Sequence, residues 1–145
     1  MSFEEIKALV HRFIEKSWHN LDLLDEILAD EIVFTGGERV NRDAIKQSFA
    51  WLNCGFPDVR TTIEWIVTQG DDVVAGWRSK ATHTQEWDGI PPTQKKAEWI
   101  GCSKIRIVDG KIVEWWQLWD AFTAMAQIGF IPNWVEMIEQ AKHKA

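Results

Sequence analysis

The chain has 145 residues, 46% of them hydrophobic and 26% charged, which supports one packed core and excludes a disordered or collagen-like chain. With 16 Lys and Arg against 22 Asp and Glu, the formal charge is −6, so the chain repels a phosphate backbone and nucleic acid is not an expected partner. The length suits a single domain over residues 1–145. No apolar run approaches the ~20 residues of a membrane span. The opening Met1-Ser2-Phe3-Glu4-Glu5 is acidic rather than leader-like, so no membrane partner and a cytoplasmic location are expected. Cys54 and Cys102 lack the spacing of a disulfide framework or a zinc site. Ten Trp and no Tyr is the unusual feature, and it points to a need for flat apolar surface.

Ser2 and Glu5 form a capping box, and Ile6, Leu9, Val10, Phe13 and Ile14 then recur at helical spacing as far as Trp18. A short second helix with Leu24, Ile27 and Leu28 on one side follows His19-Asn20. Ile32-Val33-Phe34 reads as a short strand ended by Gly36-Gly37. Asn41 caps a third helix that turns Ala44, Ile45, Ser48, Phe49 and Leu52 inward and stops before Gly55 and Pro57.

From Arg60 the period becomes two. Ile63, Trp65 and Val67 alternate with polar neighbours, Gly70-Asp71-Asp72 turns the chain, and Val73 to Trp87 reads as one long strand. The loop Asp88 to Thr93 holds two prolines. A strand from Lys96 to Val108 then leads through Asp109-Gly110, a tight-hairpin dipeptide, into an antiparallel strand from Lys111 to Trp119. Helical spacing resumes with Met125 and Ile128, Gly129 ends that helix, and Asn133 to Lys142 forms an amphipathic tail. Helices followed by an antiparallel meander give an α+β fold. With Gly76 letting a strand curl, a curved antiparallel sheet wraps around the N-terminal helices as a cone with an internal pocket, and such pockets take small molecules.

The chain has no GxGxxG, GxxxxGK[ST], HExxH or GxSxG, and its four histidines are not spaced as a metal pair. Three indoles crowd before an acid in Glu114-Trp115-Trp116-Gln117-Leu118-Trp119-Asp120. Strict alternation puts Trp116, Leu118 and Asp120 on one face. The carboxylate then sits among apolar groups at the mouth or floor of the pocket, where desolvation raises its pKa and fits it for acid/base work. The plainer reading is that Asp120 caps the helix starting at Ala121. His83 shares strand parity with Trp77, Ala81 and Trp87, either to face a substrate or simply to pack. Trp18, Trp51, Trp77, Trp116 and Trp119, with Phe34 and Phe56, are the expected lining of a slot for a flat apolar or aromatic ligand. Trp65, Trp99, Trp115 and Trp134 read as core or interface. Arg78 and Lys80 read as a solvated face, and Arg106 is positioned to pair with Glu114 across the hairpin.

Phe56-Pro57-Asp58, Gly70-Asp71-Asp72-Val73-Val74-Ala75, Thr82-His83-Thr84, Gly89-Ile90-Pro91-Pro92-Thr93, Arg106 to Glu114, and Trp116 with Asp120 together resemble the SnoaL-like polyketide cyclases of the nuclear-transport-factor-2-like superfamily. The resemblance implies a cone-shaped α+β domain and a cofactor-free intramolecular aldol closure. In that reaction Asp120 removes a proton from an activated methylene and returns it to the new alkoxide, while Trp116 or His83 steadies the enolate. Those cyclases carry a His on the strand before the Asp-Gly turn, where Glu98 to Arg106 offers Cys102 and Ser103 instead. A non-catalytic binding or sensing module and a scaffold domain are the competing function classes. A homodimer is expected under each, because the outer sheet face holds apolar residues in excess.

Overall fold

The computed structural model describes residues 1–144. Ser2 and Glu5 make the expected capping box, with each backbone N–H received by the other's side chain, at the start of α1 (Phe3–His11). Beyond α1 the coil widens into a π-helical turn at Arg12–Lys16 and tightens at Ser17–His19. The Ser17 hydroxyl donates to the Arg12 carbonyl five residues back (3.0 Å), supporting the widened turn. Then follow α2 (Leu23–Ile27), β1 (Leu28–Phe34), β2 (Arg39–Asn41) and α3 (Arg42–Gly55), whose first turn is capped by Asn41 accepting from the Ala44 N–H. The remaining elements are β3 (Arg60–Gln69), β4 (Asp72–Thr82), β5 (Lys96–Val108), β6 (Lys111–Trp119), α4 (Ala121–Gln127) and α5 (Trp134–Lys144).

The six strands form one sheet in the order β2-β1-β6-β5-β4-β3. The β3 to β6 meander is antiparallel as expected, whereas β1 joins β6 in parallel and the short β2 was not legible as a strand. The sheet is curved and unclosed. Its concave face holds the core with the N-terminal helices, in one cluster that includes Val10, Phe13, Leu24, Ile45, Phe49 and Ile105. At the β5–β6 hairpin Asp109 and Gly110 have φ of +51° and +76°, the left-handed pair a tight two-residue turn requires. No helix among the described residues is long and apolar enough to cross a membrane.

Two bulges correct the strict alternation read from the sequence. On β3 the pairing passes from Ile63↔Trp77 to Trp65↔Gly76, so Glu64 is the extra residue. Trp65 therefore turns to the convex face, half exposed, instead of sharing a face with Ile63. On β6 the pairing passes from Ile112 to Glu114 against consecutive residues of β5, leaving Val113 extra. Before that bulge Ile112 faces the core; after it Trp115 does, while Trp116 and Leu118 face out. The long strand expected from Val73 to Trp87 ends at Thr82. Beyond it His83 still exchanges backbone hydrogen bonds with Gln94 and Lys95, and Trp87 is bridged only to Ile90.

Candidate functional site

Between the concave sheet and α3 lies a chamber of about 180 Å³. Ser48, Phe49, Trp51 and Leu52 of α3 form one wall, and Trp77, Ser79, Trp99, Trp115, Gln117 and Trp119 of β4 to β6 form the other. Trp18 and Phe34 close the sides. A recess of about 20 Å³ continues past Trp18, Phe49, Trp77, Trp115 and Gln117 to Phe13, Ile14, Thr61 and Ser103.

Each aromatic wall residue is held in place. Trp18 stacks on Phe49 with centroids 4.2 Å apart and planes 17° from parallel, while its carbonyl accepts from the Asn53 amide (2.6 Å). Trp115 meets Phe13 edge-on at 5.0 Å and also touches Phe34 and Phe49. Trp51 is partly exposed at the rim, where its indole N–H donates to Asp88 (2.8 Å) and its carbonyl accepts from the indole of Trp87 (3.0 Å). Trp77 and Trp115 both donate their indole N–H to Ser103 Oγ, at 3.0 and 3.2 Å.

No Asp, Glu, His, Lys, Arg or Cys lines the chamber or its recess. The polar groups there are the hydroxyls of Ser48, Ser79, Thr61 and Ser103 and the amide of Gln117. Ser48 donates back to the Ile45 carbonyl, and Thr61 and Ser79 share a 2.7 Å hydrogen bond. Such a wall suits an uncharged ligand, since a charged one would lose hydration without a compensating partner.

The structure separates the residues picked from the sequence. Trp18, Phe34, Trp51, Trp77 and Trp119 surround the chamber. Phe56 lies buried beside it, stacked on His83 at 5.2 Å, and Trp116 stands on the convex face. Trp99 and Trp115, read as core or interface, are chamber walls. Asp120 does share a face with Trp116 and Leu118, but the Val113 bulge makes that face the convex one. There the carboxylate borders an outer groove with Trp65, Ile100, Cys102 and Leu118. It receives the hydroxyl (2.6 Å) and backbone N–H (3.0 Å) of Thr123 and so caps α4. Those two hydrogen bonds hold its carboxyl below the ordinary carboxylate range, opposite to the expected direction, and the slight burial does not offset them. His83 is fully buried outside the chamber lining. Its Nδ1 accepts from the Thr93 N–H (3.3 Å) and lies 3.1 Å from the Thr93 hydroxyl, which leaves the neutral ring's proton on Nε2. Among the described residues Nε2 has no partner.

Sequence reasoning missed Ser103, Gln117, Phe49 and Ser79. The charged side chains of the hairpin were the usable signal. Glu114 shares parity with Trp116, Leu118 and Asp120 and pairs with Lys104, and Arg106 lies 3.8 Å from it while making two 3.1 Å bonds to Asp72. A face carrying such a network is the solvent face.

A curved, unclosed sheet closed by N-terminal helices round an internal pocket is the cone of the nuclear-transport-factor-2-like fold. The SnoaL-like polyketide cyclase family matches residues 8–128, and the chain belongs to that family. Among solved structures, AclR of Streptomyces galilaeus, a candidate hydroxylase, is 25% identical, with 99% of this chain and 92% of that one covered at a TM-score of 0.82. IdmH of Streptomyces antibioticus, a candidate polyketide cyclase, is 27% identical over 85% of this chain and 97% of its own, with a TM-score of 0.75. TsrD of Streptomyces laurentii shares the fold at 17% identity and a TM-score of 0.79, over 90% and 99% of the two chains. No curated protein matches the chain.

Proposed function

We propose that the chain binds a neutral, ring-bearing ketone in the aromatic chamber and promotes an intramolecular ring closure or a related isomerisation by holding the molecule in its reactive pose. The observation that carries this reading is the composition of the wall: indoles, phenyl rings, the aliphatic Leu52 and Ile14, hydroxyls and one amide, without an ionisable group. A dry cavity near 150 Å³ accommodates a single benzene-sized ring, so about 180 Å³ fits one ring and its substituents, with any larger body extending past Trp51 at the rim. Positioning alone accounts for large rate gains when the reacting ends belong to one molecule. An aldol closure relocates a proton within the substrate and requires no redox partner.

Acid/base catalysis by Asp120, implied by the family resemblance, is the second proposal. One observation favours it: Trp119 borders both the chamber and the outer groove that holds Asp120. Titrating the indole fluorescence with one- and two-ring ketones, alongside an assay for product, tests both. The chamber reading expects saturable quenching in the native chain and in Asp120→Asn, with turnover retained in the variant. Turnover lost while quenching persists assigns the proton transfer to Asp120. Saturable quenching without turnover in either identifies a binding or sensing module, and no quenching at all removes the chamber reading.

We further propose a homodimer built on the convex sheet face, in the soluble, cytoplasmic setting the sequence suggests. Trp65, Ile100, Trp116 and Leu118 are exposed there, while Arg78 is already paired with Glu64 and Glu98 at 3.4 and 3.2 Å. An apolar patch beside internally neutralised charges is self-complementary, as an isologous contact requires.

A further inference from the structure

Ser103 has an unspent proton. Its side chain is 1% exposed on β5 and borders the innermost recess. The oxygen accepts two hydrogen bonds, from Trp77 Nε1 at 3.0 Å and Trp115 Nε1 at 3.2 Å. A hydroxyl has two acceptor sites and one donor, so both acceptor sites are filled by indoles fixed in the wall. Among the described residues no acceptor lies within hydrogen-bonding geometry of its O–H. A buried donor left unmade is costly, and the recess it borders, about 20 Å³, has room for one oxygen atom.

The two indoles also settle what Ser103 does for a ligand. With its lone pairs engaged, the hydroxyl has only its proton to offer the recess, and the N–H groups polarise the oxygen and strengthen that donation. Gln117 lines the same recess, where its amide carries two N–H donors and a carbonyl acceptor. The recess is therefore a neutral polar site at the end of an aromatic slot, and the Ser103 O–H is a donor within it.

We infer that Ser103 selects the ligand's carbonyl: the ring lies between the indoles of the chamber, and its oxygen enters the recess to accept the Ser103 proton. This rests on the chamber reading above and adds to it which atom of the ligand is recognised, and by what. A carboxylate in place of the ketone is rejected because no cation lines the recess to balance it.

The test uses 1-indanone and its hydrocarbon counterpart indane, each titrated by indole fluorescence against the native chain, Ser103→Cys and Ser103→Thr. Dividing ketone affinity by hydrocarbon affinity cancels their different hydrophobicity. A thiol still receives the indole N–H groups but is a poor donor, so the ratio is expected to fall about fivefold in Ser103→Cys. Ser103→Thr retains the O–H and restores the ratio. The infrared carbonyl stretch of 1-indanone bound to the native chain is expected below its value in alkane solvent, a readout that does not depend on any variant folding. An unshifted stretch, or a ratio unchanged in a folded Ser103→Cys, overturns the role of Ser103 while saturable ketone binding keeps the chamber reading. Binding of neither compound overturns both.

Discussion

The indole of Trp77 lies across the space that a side chain at Gly101 would fill. The two residues are directly paired between β4 and β5, and a Cβ at position 101 would come within 2.3 Å of the ring. Gly101 thus lets an indole lie flat on the sheet and reach Ser103 with its N–H, forming part of the chamber floor. Gly101→Ala is expected to force Trp77 off this site and to cost about 1–3 kcal/mol, the usual penalty of overpacking. Chemical denaturation measures the loss, and weakened ketone binding in the still-folded fraction shows that the floor has moved. Unchanged stability and binding would refute this account of the floor.

Glu15 ties the π-helical turn to the bulged strand. Its carboxylate accepts the backbone N–H of Ile63 at 2.8 Å, next to the extra residue Glu64, and also meets His11 at 3.0 Å. Burial pushes the Glu15 carboxyl up, but the Ile63 N–H and His11 outweigh it, so its pKa lies below the ordinary 4.5. A carboxyl with a lower pKa folded than unfolded adds stability above the unfolded value, and loses it as pH falls through the folded one. Unfolding free energy should therefore decline on acidification below about pH 5, and less steeply in Glu15→Gln. Glu15→Ala leaves the Ile63 N–H without its acceptor and should cost about 1–3 kcal/mol at pH 7. Equal acid slopes in the native chain and Glu15→Gln would remove Glu15 from this role.

These bulges also explain which parts of the site were legible in the sequence. The elements follow from period and punctuation: the Ser2-Glu5 capping box, the Asn41 cap, the Asp109-Gly110 turn and the inward face of α3 are local features. Which face of β6 meets the core is not local. Trp115 and Trp119 on one side balance Trp116 and Leu118 on the other, so apolar content does not choose between them. Counting by twos from the buried Ile112 sends Asp120 inward, and one extra residue at Val113 reverses the answer. Trp65 is displaced in the same way by Glu64. The parallel join of β1 to β6 was equally invisible, because it depends on where the helices carry β1. Ser103 has no signature of its own, since its part in the site depends on two indoles from neighbouring strands.

Asp120 is an N-cap whatever its part in chemistry, and the two roles separate by substitution. Ala at this position removes both bonds to Thr123 and is expected to cost about 1 kcal/mol. Asn caps nearly as well as Asp, so Asp120→Asn should melt close to the native chain. Because the carboxyl is lowered by Thr123, its contribution is present above the unfolded value and fades on acidification, and the stability gap between the native chain and Asp120→Ala should narrow below about pH 4. A gap constant from pH 7 to pH 3 would show that the ionised carboxylate does not prefer this cap.

Leu118 is the sharpest probe of the proposed pairing of copies. It is 74% exposed at the centre of the convex face, flanked on β6 by Trp116 and cross-strand from Cys102. A side chain so exposed contributes little to the stability of a single chain, whereas a lysine in the middle of an apolar interface must be buried unpaired on association. Leu118→Lys is therefore expected to leave the melting of the isolated chain within about 0.5 kcal/mol, as surface changes do, while abolishing the dimer. Size-exclusion chromatography with light scattering reads both states. A native chain that is monomeric at micromolar concentration, or a Leu118→Lys variant that still dimerises, removes this face as the interface.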